Sequence, residues 1–213
     1  MKKKKNSSTR FKQWFIVLLV NAAIGLTIVA IFIFQTVSPI ALANSIKELP
    51  QQFFEIELPE ENIPLYKEAG DAYGVPWTLL AAHHRIETKF STMDPMLSPV
   101  GAEGPLQFMP CTFVGWSYPT CSGLGQGDIP TDEKTNPTVI AKYGGYGVDG
   151  NNDGTADPYN LTDALYSAAH YLSKYGAADG NIKEAVFHYN QSETYVKDIV
   201  HYYKKYEDEY EEK

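Results

Sequence analysis

The longest largely apolar run lies near the N-terminus, from Trp14 to Phe34; it carries no charge, and Asn21 is its only strongly polar residue. A helix of this length spans about 30 Å, which is the thickness of the hydrocarbon layer of a membrane. A buried helix of a soluble domain is the alternative, but such a helix usually has a polar face. The run therefore predicts a transmembrane helix at 14–34.

Beyond this run, apolar residues recur at helical spacing in shorter segments that Gly, Pro and Asn separate. Gly74 and Pro76 mark the first boundary, since Gly favours a helix C-terminus and Pro the first helical turn. No segment shows the alternation of a half-buried strand. The pattern predicts an all-α fold with a long polar region over 91–160. The predicted helices cover 65–73, 77–87, 107–116, 163–175, 182–189 and 194–206.

The charged residues divide the chain into two parts. Six Lys and Arg residues lie within the first 12 positions, and the first acidic residue is Glu48. From Asn44 onward, 12 basic residues stand against 26 acidic ones. Such an acidic body argues against binding of nucleic acid, which requires neutralisation of phosphates. Under the positive-inside rule, the basic head lies in the cytoplasm and the body outside it.

This arrangement predicts a single-pass protein of the cell membrane with its C-terminal domain on the outer side. Secretion after cleavage near Ala43 is the alternative, because Ala41-Leu42-Ala43 fits a small-x-small cleavage site. Both cases export the domain. The predicted regions are a basic cytoplasmic head (1–13), a transmembrane anchor or signal (14–34), a linker (35–62), a helical domain (63–205) and an acidic tail (206–213).

Cys111 and Cys121 are the only cysteines in the sequence. In an exported domain they can form a disulfide that closes a short loop. Two buried thiols are the alternative. A catalytic thiol is disfavoured, because no His/Asn arrangement accompanies either cysteine.

Three local features carry residues suited to chemistry. Glu87 ends an otherwise apolar helix, where a desolvated carboxyl group can stay protonated and serve as a general acid. The stretch from Ser98 to Pro110 has glycines on both sides of Ala102-Glu103, which permit an irregular loop that brings amides to a polar ligand. Tyr189-Asn190 places an aromatic face beside an amide, a pair that suits a sugar. Taken singly, each feature also has a purely structural interpretation.

In order and spacing, these features resemble the transglycosylase SLT family, the goose-type-lysozyme-like enzymes that cleave peptidoglycan. The resemblance rests on Glu87-Thr88-Lys89-Phe90, on Ser98 to Pro110 and on Ala185 to Asn190, and it covers about 63–205. It implies a lysozyme-like (SLT, goose-type) α fold behind the N-terminal transmembrane helix. Thr88 is a mild departure, since the family often has Ser at this place.

The resemblance also implies an activity, that of a lytic transglycosylase acting on the glycan strands of peptidoglycan. Glu87 is then the catalytic residue, which first protonates the glycosidic oxygen between MurNAc and GlcNAc. As a carboxylate it next takes the proton of the MurNAc C6 hydroxyl, which closes onto C1 to give a 1,6-anhydro end. No cofactor is required. The residues expected to bind the sugar are Ser98, Gln107, Tyr189 and Asn190.

Two other functions stay open at this point. A second carboxylate across the cleft, from Glu103 or Asp94, would let water attack and make the protein a hydrolytic muramidase. Without catalysis, the same cleft would serve a peptidoglycan-binding module.

The stretch from Asp149 to Asp157 matches the first half of an EF-hand calcium loop. Position 12 of such a loop is Asn160 here instead of Glu, and Asp163 can supply the missing carboxylate. The membrane-bound lytic transglycosylase B subgroup, which this loop resembles, has a similar late Asp. An Asx/Gly-rich turn without an ion is the alternative. The ligands of the predicted structural calcium ion are Asp149, Asn151, Asp153, Thr155 and Asp163.

Overall fold

The computed structural model describes residues 56–210, which form α-helices joined by long loops. Two short 3₁₀ turns, Glu60–Asn62 and Ala177–Asp179, supplement them. Strand-like pairing in this part of the chain is limited to isolated bridges of Glu103 with Leu97 and Phe108. The all-α prediction is thus confirmed for 56–210. The helices are α1 (Ile63–Tyr73), α2 (Trp77–Thr88), α3 (Pro110–Val114), α4 (Thr131–Lys134), α5 (Pro137–Tyr143), α6 (Leu161–Lys174), α7 (Ile182–Tyr189) and α8 (Glu193–Tyr210).

Helix α2 lies at the centre of the fold and packs against α1, α6 and α8. Its residues from Thr78 to Arg85 are all buried. Leu79 and Leu80 of α2 belong to the same core cluster as Leu165 of α6 and Ile199 of α8. A helix that is buried on nearly every side needs hydrogen-bond partners from other elements for its polar side chains.

Both ends of α2 are set by local chemistry. Gly74 closes α1 with a φ of 67°, and Pro76 precedes the first turn of α2. At the other end, Lys89, Phe90 and Ser91 have φ values of 51°, 59° and 62°. Successive left-handed residues cannot continue a right-handed helix, so the chain leaves α2 abruptly just after Glu87.

The helical domain extends further than the sequence predicts at both ends. Leu58, placed in the linker by the prediction, is buried at 5% exposure. Helix α8 continues to Tyr210, and Tyr206, placed in the acidic tail, is 2% exposed. Tyr210 packs edge-on against Trp77 with ring centroids 6.0 Å apart. The tail is polar in sequence because three acidic residues separate Tyr206 from Tyr210, and two of them, Asp208 and Glu209, are exposed.

Arg85 fastens the start of the domain to α8. Its guanidinium group lies 4.0 Å from the ring centroid of Tyr202, and it donates hydrogen bonds to the carbonyl oxygen of Ile56 and the hydroxyl of Tyr206. Arg85 and Glu87 are two positions apart on α2 and therefore point to different sides of the helix. The cation is thus directed away from the carboxylate.

The polar middle region contains more helix than the sequence predicts. Helices α4 and α5 fall within the stretch predicted as loop, because segments of four and seven residues are too short to show helical periodicity. Asn136 caps α5 by accepting from the backbone N–H groups of Thr138 and Val139. Helix α3 starts at Pro110 instead of Gln107, since Gln107 has a φ of 50°.

The predicted membrane anchor at 14–34 and the alternative cleavage site near Ala43 lie outside the described residues. Among residues 56–210, no helix is long and apolar enough to cross a membrane.

We expect Gly104→Ala to destabilise the fold strongly. Gly104 has a φ of 75°, and a Cβ atom there would lie 1.7 Å from the carbonyl oxygen of Pro158. Backbone strain and overpacking together should cost about 3 kcal/mol. Gly180→Ala is the matched control, because Gly180 has a φ of 82° and an added methyl group would meet no atom within 4 Å. The control should lose only about 1 kcal/mol. Equal losses in urea unfolding would contradict the assigned contact with Pro158.

Candidate active site

Glu87 lies in the last turn of α2, where the helix meets the loop that follows it. Thr88 donates a hydrogen bond of 2.8 Å from its hydroxyl to the carbonyl oxygen of Pro105. The same hydroxyl accepts from the backbone N–H of Ser91 at 3.1 Å. Thr88 therefore fixes the loop from Ser98 to Pro110 against the end of α2, which brings two of the predicted motifs together.

The carboxyl group of Glu87 is shielded from water by the helices around it. Tyr195 of α8 donates a hydrogen bond of 2.5 Å to Oε1 of Glu87. Burial raises the pKa of Glu87 to about 7, while the hydrogen bond from Tyr195 acts in the opposite direction. The side chain nevertheless keeps a part of its surface exposed. A carboxyl group that titrates near neutral pH is able to donate a proton and take one back.

The two histidines of α2 contribute hydrogen bonds to the interior. His83 is buried, and its Nδ1 lies 3.0 Å from the hydroxyl of Tyr195. His84 is hydrogen-bonded through Nδ1 to the hydroxyl of Tyr66 at 2.8 Å and through Nε2 to Ser91 Oγ at 2.7 Å. Burial lowers the pKa of His83 to about 3 and that of His84 to about 4. Both imidazoles are therefore neutral near pH 7.

The loop from Ser98 to Pro110 holds its shape through its own polar groups. Ser98 Oγ accepts from the backbone N–H of Ala102 at 2.9 Å, which leaves the hydroxyl proton of Ser98 for another acceptor. Gln107 Nε2 donates to the carbonyl oxygen of Gly104 at 2.8 Å. Glu103 pairs its backbone N–H and C=O with those of Phe108, each at 2.9 Å. The roles of Ser98 and Gln107 in sugar binding stay predictions.

Glu103 is held in a salt bridge with Lys134. Both carboxylate oxygens of Glu103 lie 2.6 Å from Lys134 Nζ, and both side chains are largely buried. Since its oxygens are committed to a cation, Glu103 is poorly suited to activate a water molecule. Asp94, the other carboxylate considered, lies exposed in the loop after α2.

A groove of about 520 Å³ contains two of the predicted sugar-binding residues. Gln107 and Tyr189 line it, together with Trp116, Leu124 and Tyr175. Trp116 and Leu124 are 52% and 71% exposed, which is high for large apolar side chains. Exposed aromatic and apolar surface in a groove with an amide is suited to a ligand with one apolar face and several hydroxyl groups.

Tyr189 connects this groove with the carboxyl group. Its hydroxyl donates to the carbonyl oxygen of Leu106 at 2.7 Å, and its ring lies 4.8 Å from that of His83. Burial raises the pKa of Tyr189 well above its usual value, and the charge of Glu87 adds to this shift. Asn190 ends α7 and is exposed. The structure thus places Gln107 and Tyr189 in the groove and Glu87 close enough to Tyr189 for its charge to act there, although Glu87 itself does not line the groove.

Cys111 and Cys121 are joined by a disulfide with an S–S distance of 2.13 Å. The bond connects α3 to the loop that carries Trp116, so it constrains one wall of the groove. It also leaves neither cysteine free as a thiol.

The loop predicted to bind calcium uses its carboxylates on its own backbone. Asp163, whose side chain is buried, accepts from the N–H groups of Gly150, Asn151 and Asp157 at 2.9, 3.3 and 2.9 Å. Asp149 accepts from Asp153 and Gly154.

Asn160, at the twelfth position of that loop, caps α6 by accepting from the N–H groups of Thr162 and Asp163. Within 56–210, no group of three or more His, Cys, Asp or Glu side chains is arranged to hold a metal ion. The fit of the loop to calcium therefore rests on its sequence.

One contact of the site could not be placed from the sequence. Tyr195 reaches Glu87 from 108 positions along the chain, so no local pattern reports the contact. The sequence does place His83 one helical turn before Glu87, a spacing that indicates a shared face of the helix.

The geometry defines an all-α domain that has a desolvated glutamate and an aromatic groove, with Tyr189 between them. No protein-family model matches the sequence, and no solved structure matches the chain. The chain is 28% identical over 129 residues to an L-Ala–D-Glu endopeptidase of Bacillus subtilis (strain 168). The aligned region covers 61% of this chain and 36% of the relative, so the chain spans about a third of that protein's length.

We expect Glu87→Gln to change how stability depends on pH. The folded protein holds a proton on Glu87 up to about pH 7, whereas the unfolded chain releases it near the ordinary value of 4.5. Ionisation of Glu87 therefore opposes folding as pH rises through this window. From about pH 5 to pH 8 the variant should gain about 2 kcal/mol relative to wild type, a value reduced for partial exposure. Urea unfolding at a series of pH values measures it, and a constant difference would contradict the raised pKa.

Proposed function

We propose that this protein is a peptidoglycan lytic transglycosylase of the SLT family with a lysozyme-like fold. The observation that carries the proposal is Glu87, a shielded carboxyl group with a pKa near neutrality, whose charge acts on Tyr189, a residue that lines the groove together with Gln107. The substrate is the β-1,4 bond between MurNAc and GlcNAc. The position of Glu87 and the sugar-binding residues in the matched motifs supports this interpretation.

In the first step, the protonated carboxyl group of Glu87 donates its proton to the glycosidic oxygen. The bond between that oxygen and C1 of MurNAc breaks, and GlcNAc leaves with a free C4 hydroxyl. A pKa of about 7 keeps a large fraction of Glu87 protonated at neutral pH, as this step requires. Tyr195 holds the carboxyl group in place from its other oxygen.

In the second step, the carboxylate of Glu87 takes the proton of the MurNAc C6 hydroxyl. The C6 oxygen forms a bond to C1, which gives a 1,6-anhydro ring and returns Glu87 to its protonated form. No water is consumed, so one carboxylate is sufficient. The salt bridge of Glu103 with Lys134 favours this single-carboxylate scheme over a hydrolytic muramidase, which needs a second carboxylate to activate water.

The similarity to an L-Ala–D-Glu endopeptidase supports a substrate in peptidoglycan, since that linkage occurs in peptidoglycan peptide stems. The peptidase activity of the relative is not assigned to this chain, because the aligned region covers only 36% of the relative. The cysteines of this chain are also joined to each other and cannot serve as thiol nucleophiles.

The location proposed for the protein is the cell membrane, with the helical domain outside. The basic residues before the apolar run at 14–34 support this orientation. In this position the domain can reach the cell wall while it stays attached, and after cleavage near Ala43 it would act as a secreted enzyme.

Glu87→Gln should abolish cleavage of purified peptidoglycan while the fold is retained. Loss of a general acid typically lowers the rate by about 10²–10⁴-fold. Glu68→Gln is the matched control, because Glu68 is exposed on α1 and should leave activity unchanged. Full activity of Glu87→Gln would exclude Glu87 as the catalytic residue.

Mass spectrometry of the digest identifies the reaction. Anhydro-muramyl ends support a transglycosylase, and reducing MurNAc ends would establish a muramidase instead. Free L-Ala ends on intact glycan would indicate a peptidase. No cleavage combined with sedimentation of the protein on peptidoglycan would identify a binding module.

Calcium binding at the loop from Asp149 to Asp163 is part of the same proposal, with a structural role. Calcium should raise the melting temperature of the protein and EGTA should reverse the effect, because an ion that binds only the folded state stabilises it. Asp149→Asn should remove this response. A melting temperature that is indifferent to both calcium and EGTA would exclude the site.

A further inference from the structure

A polar chain inside the domain runs from the carboxyl group of Glu87 through Tyr195 to His83. The hydroxyl of Tyr195 lies 2.5 Å from Oε1 of Glu87 and 3.0 Å from Nδ1 of His83. The far nitrogen of the imidazole, Nε2, is buried without a hydrogen-bond partner. The chain therefore ends at His83, with no contact that could pass a proton onward from Nε2.

We propose that His83 is a positioning residue that acts through Tyr195. Held as the Nδ1–H tautomer, it donates to the oxygen of Tyr195 and forces the single hydroxyl proton of Tyr195 toward Oε1 of Glu87. The titrating proton of Glu87 is then confined to its other oxygen, Oε2. The catalytic consequence rests on the proposed function, whereas the tautomer and the direction of the hydrogen bonds do not.

The direction follows from the number of protons available. Tyr195 has one hydroxyl proton and two neighbours that could accept it, a carboxylate and an imidazole nitrogen. The carboxylate is the stronger acceptor, and the short distance to Oε1 is typical of a charge-assisted hydrogen bond. Nδ1 of His83 must then carry a proton, since two lone pairs facing each other at 3.0 Å would repel.

The reverse direction, in which Tyr195 donates to His83 and accepts from Glu87, is disfavoured even when Glu87 is protonated. It would require the proton on Oε1, a hydroxyl of Tyr195 that points at Nδ1, and an imidazole proton on Nε2. That N–H would be buried with no acceptor, and orphaned buried N–H groups are rarer than bare acceptors. Protonation of both nitrogens is excluded by burial, which lowers the pKa of His83 to about 3.

The groups that face Glu87 come from three helices and are all neutral near pH 7. They are His83 on α2, Tyr189 on α7 and Tyr195 on α8. Burial raises the pKa of both tyrosines well above the usual value. No change of charge on these neighbours therefore competes with the titration of Glu87 in the neutral range.

This arrangement keeps Glu87 in one position in both of its protonation states. Oε1 accepts from Tyr195 whether the carboxyl group is charged or neutral, so proton transfer at Oε2 requires no rearrangement. A residue that must give a proton and then collect one benefits from such a preorganised geometry.

Nitrogen NMR of the full-length protein labelled at histidine tests the tautomer directly. We expect His83 to stay neutral, with its proton on Nδ1, between about pH 5 and pH 8. In Tyr195→Phe the proton should move largely to Nε2, because the partner at Nδ1 is lost. A proton on Nε2 in the wild-type protein, or titration of His83 within this range, would overturn the proposal. Neither result depends on peptidoglycan cleavage, so failure of the proposed function is seen separately.

Carbon NMR titration of Glu87, assigned by comparison with Glu87→Gln, tests the coupling. Tyr195→Phe should raise the pKa of Glu87 by about one unit, since a hydrogen bond to the charged form is removed. His83→Leu should raise it by a smaller amount and add nothing in the Tyr195→Phe background. His83→Asn, which keeps a donor near the Nδ1 position, should behave like wild type.

An equal shift from His83→Leu in both backgrounds would mean that His83 does not act through Tyr195, and would overturn the proposal. If His83→Leu fails to fold, the tautomer measured in the wild-type protein decides the question alone.

Discussion

The hydrogen bond between Tyr195 and Glu87 is the contact on which the site depends. It crosses from α8 to α2, the two helices with the most extensive mutual contact in the fold. Because α2 is buried on nearly all sides, its polar side chains require partners from other helices. Tyr195 serves Glu87 and His83 at once, and Tyr66 of α1 serves His84. The packing of α1 and α8 against α2 thus supplies hydrogen bonds to the buried polar side chains of α2. The same packing raises the pKa of the Glu87 carboxyl group by burial.

The same packing explains why Glu87 is accessible although its surroundings are dry. Lys89 and the next two residues turn away in left-handed conformations, so α2 ends at Thr88, one residue after Glu87. Thr88 then binds the following loop through the carbonyl oxygen of Pro105. A looser loop would admit water and lower the pKa of Glu87, because burial is the main cause of its raised value. The end of the helix therefore determines both the exposure of Glu87 and its affinity for a proton.

The sequence could predict the local elements but not the contacts between them. Apolar spacing located the main helices, and the order and spacing of three local motifs, taken together, singled out Glu87. The partner of Glu87 could not be inferred, because Tyr195 is one of 15 tyrosines and lies far away in sequence. The short helices after Pro130 and Asn136 were missed because four to seven residues do not define a period. The acidic residues that follow Tyr206 predict a solvated tail, although Tyr206 itself is buried.

Two glutamates, Glu87 and Glu103, show how the fold gives one residue type opposite properties. Glu103 receives Lys134 as a cation on both oxygens, so its charge is neutralised in place. Glu87 receives only a neutral hydroxyl, while Arg85 on the same helix is directed toward Tyr202 and Tyr206. Without a cation, burial dominates and the carboxyl group holds its proton at higher pH. A site that separates its carboxylates in this way has one group able to exchange protons near neutrality. Such a site suits a reaction in which one carboxyl group serves as both acid and base and the substrate itself provides the nucleophile.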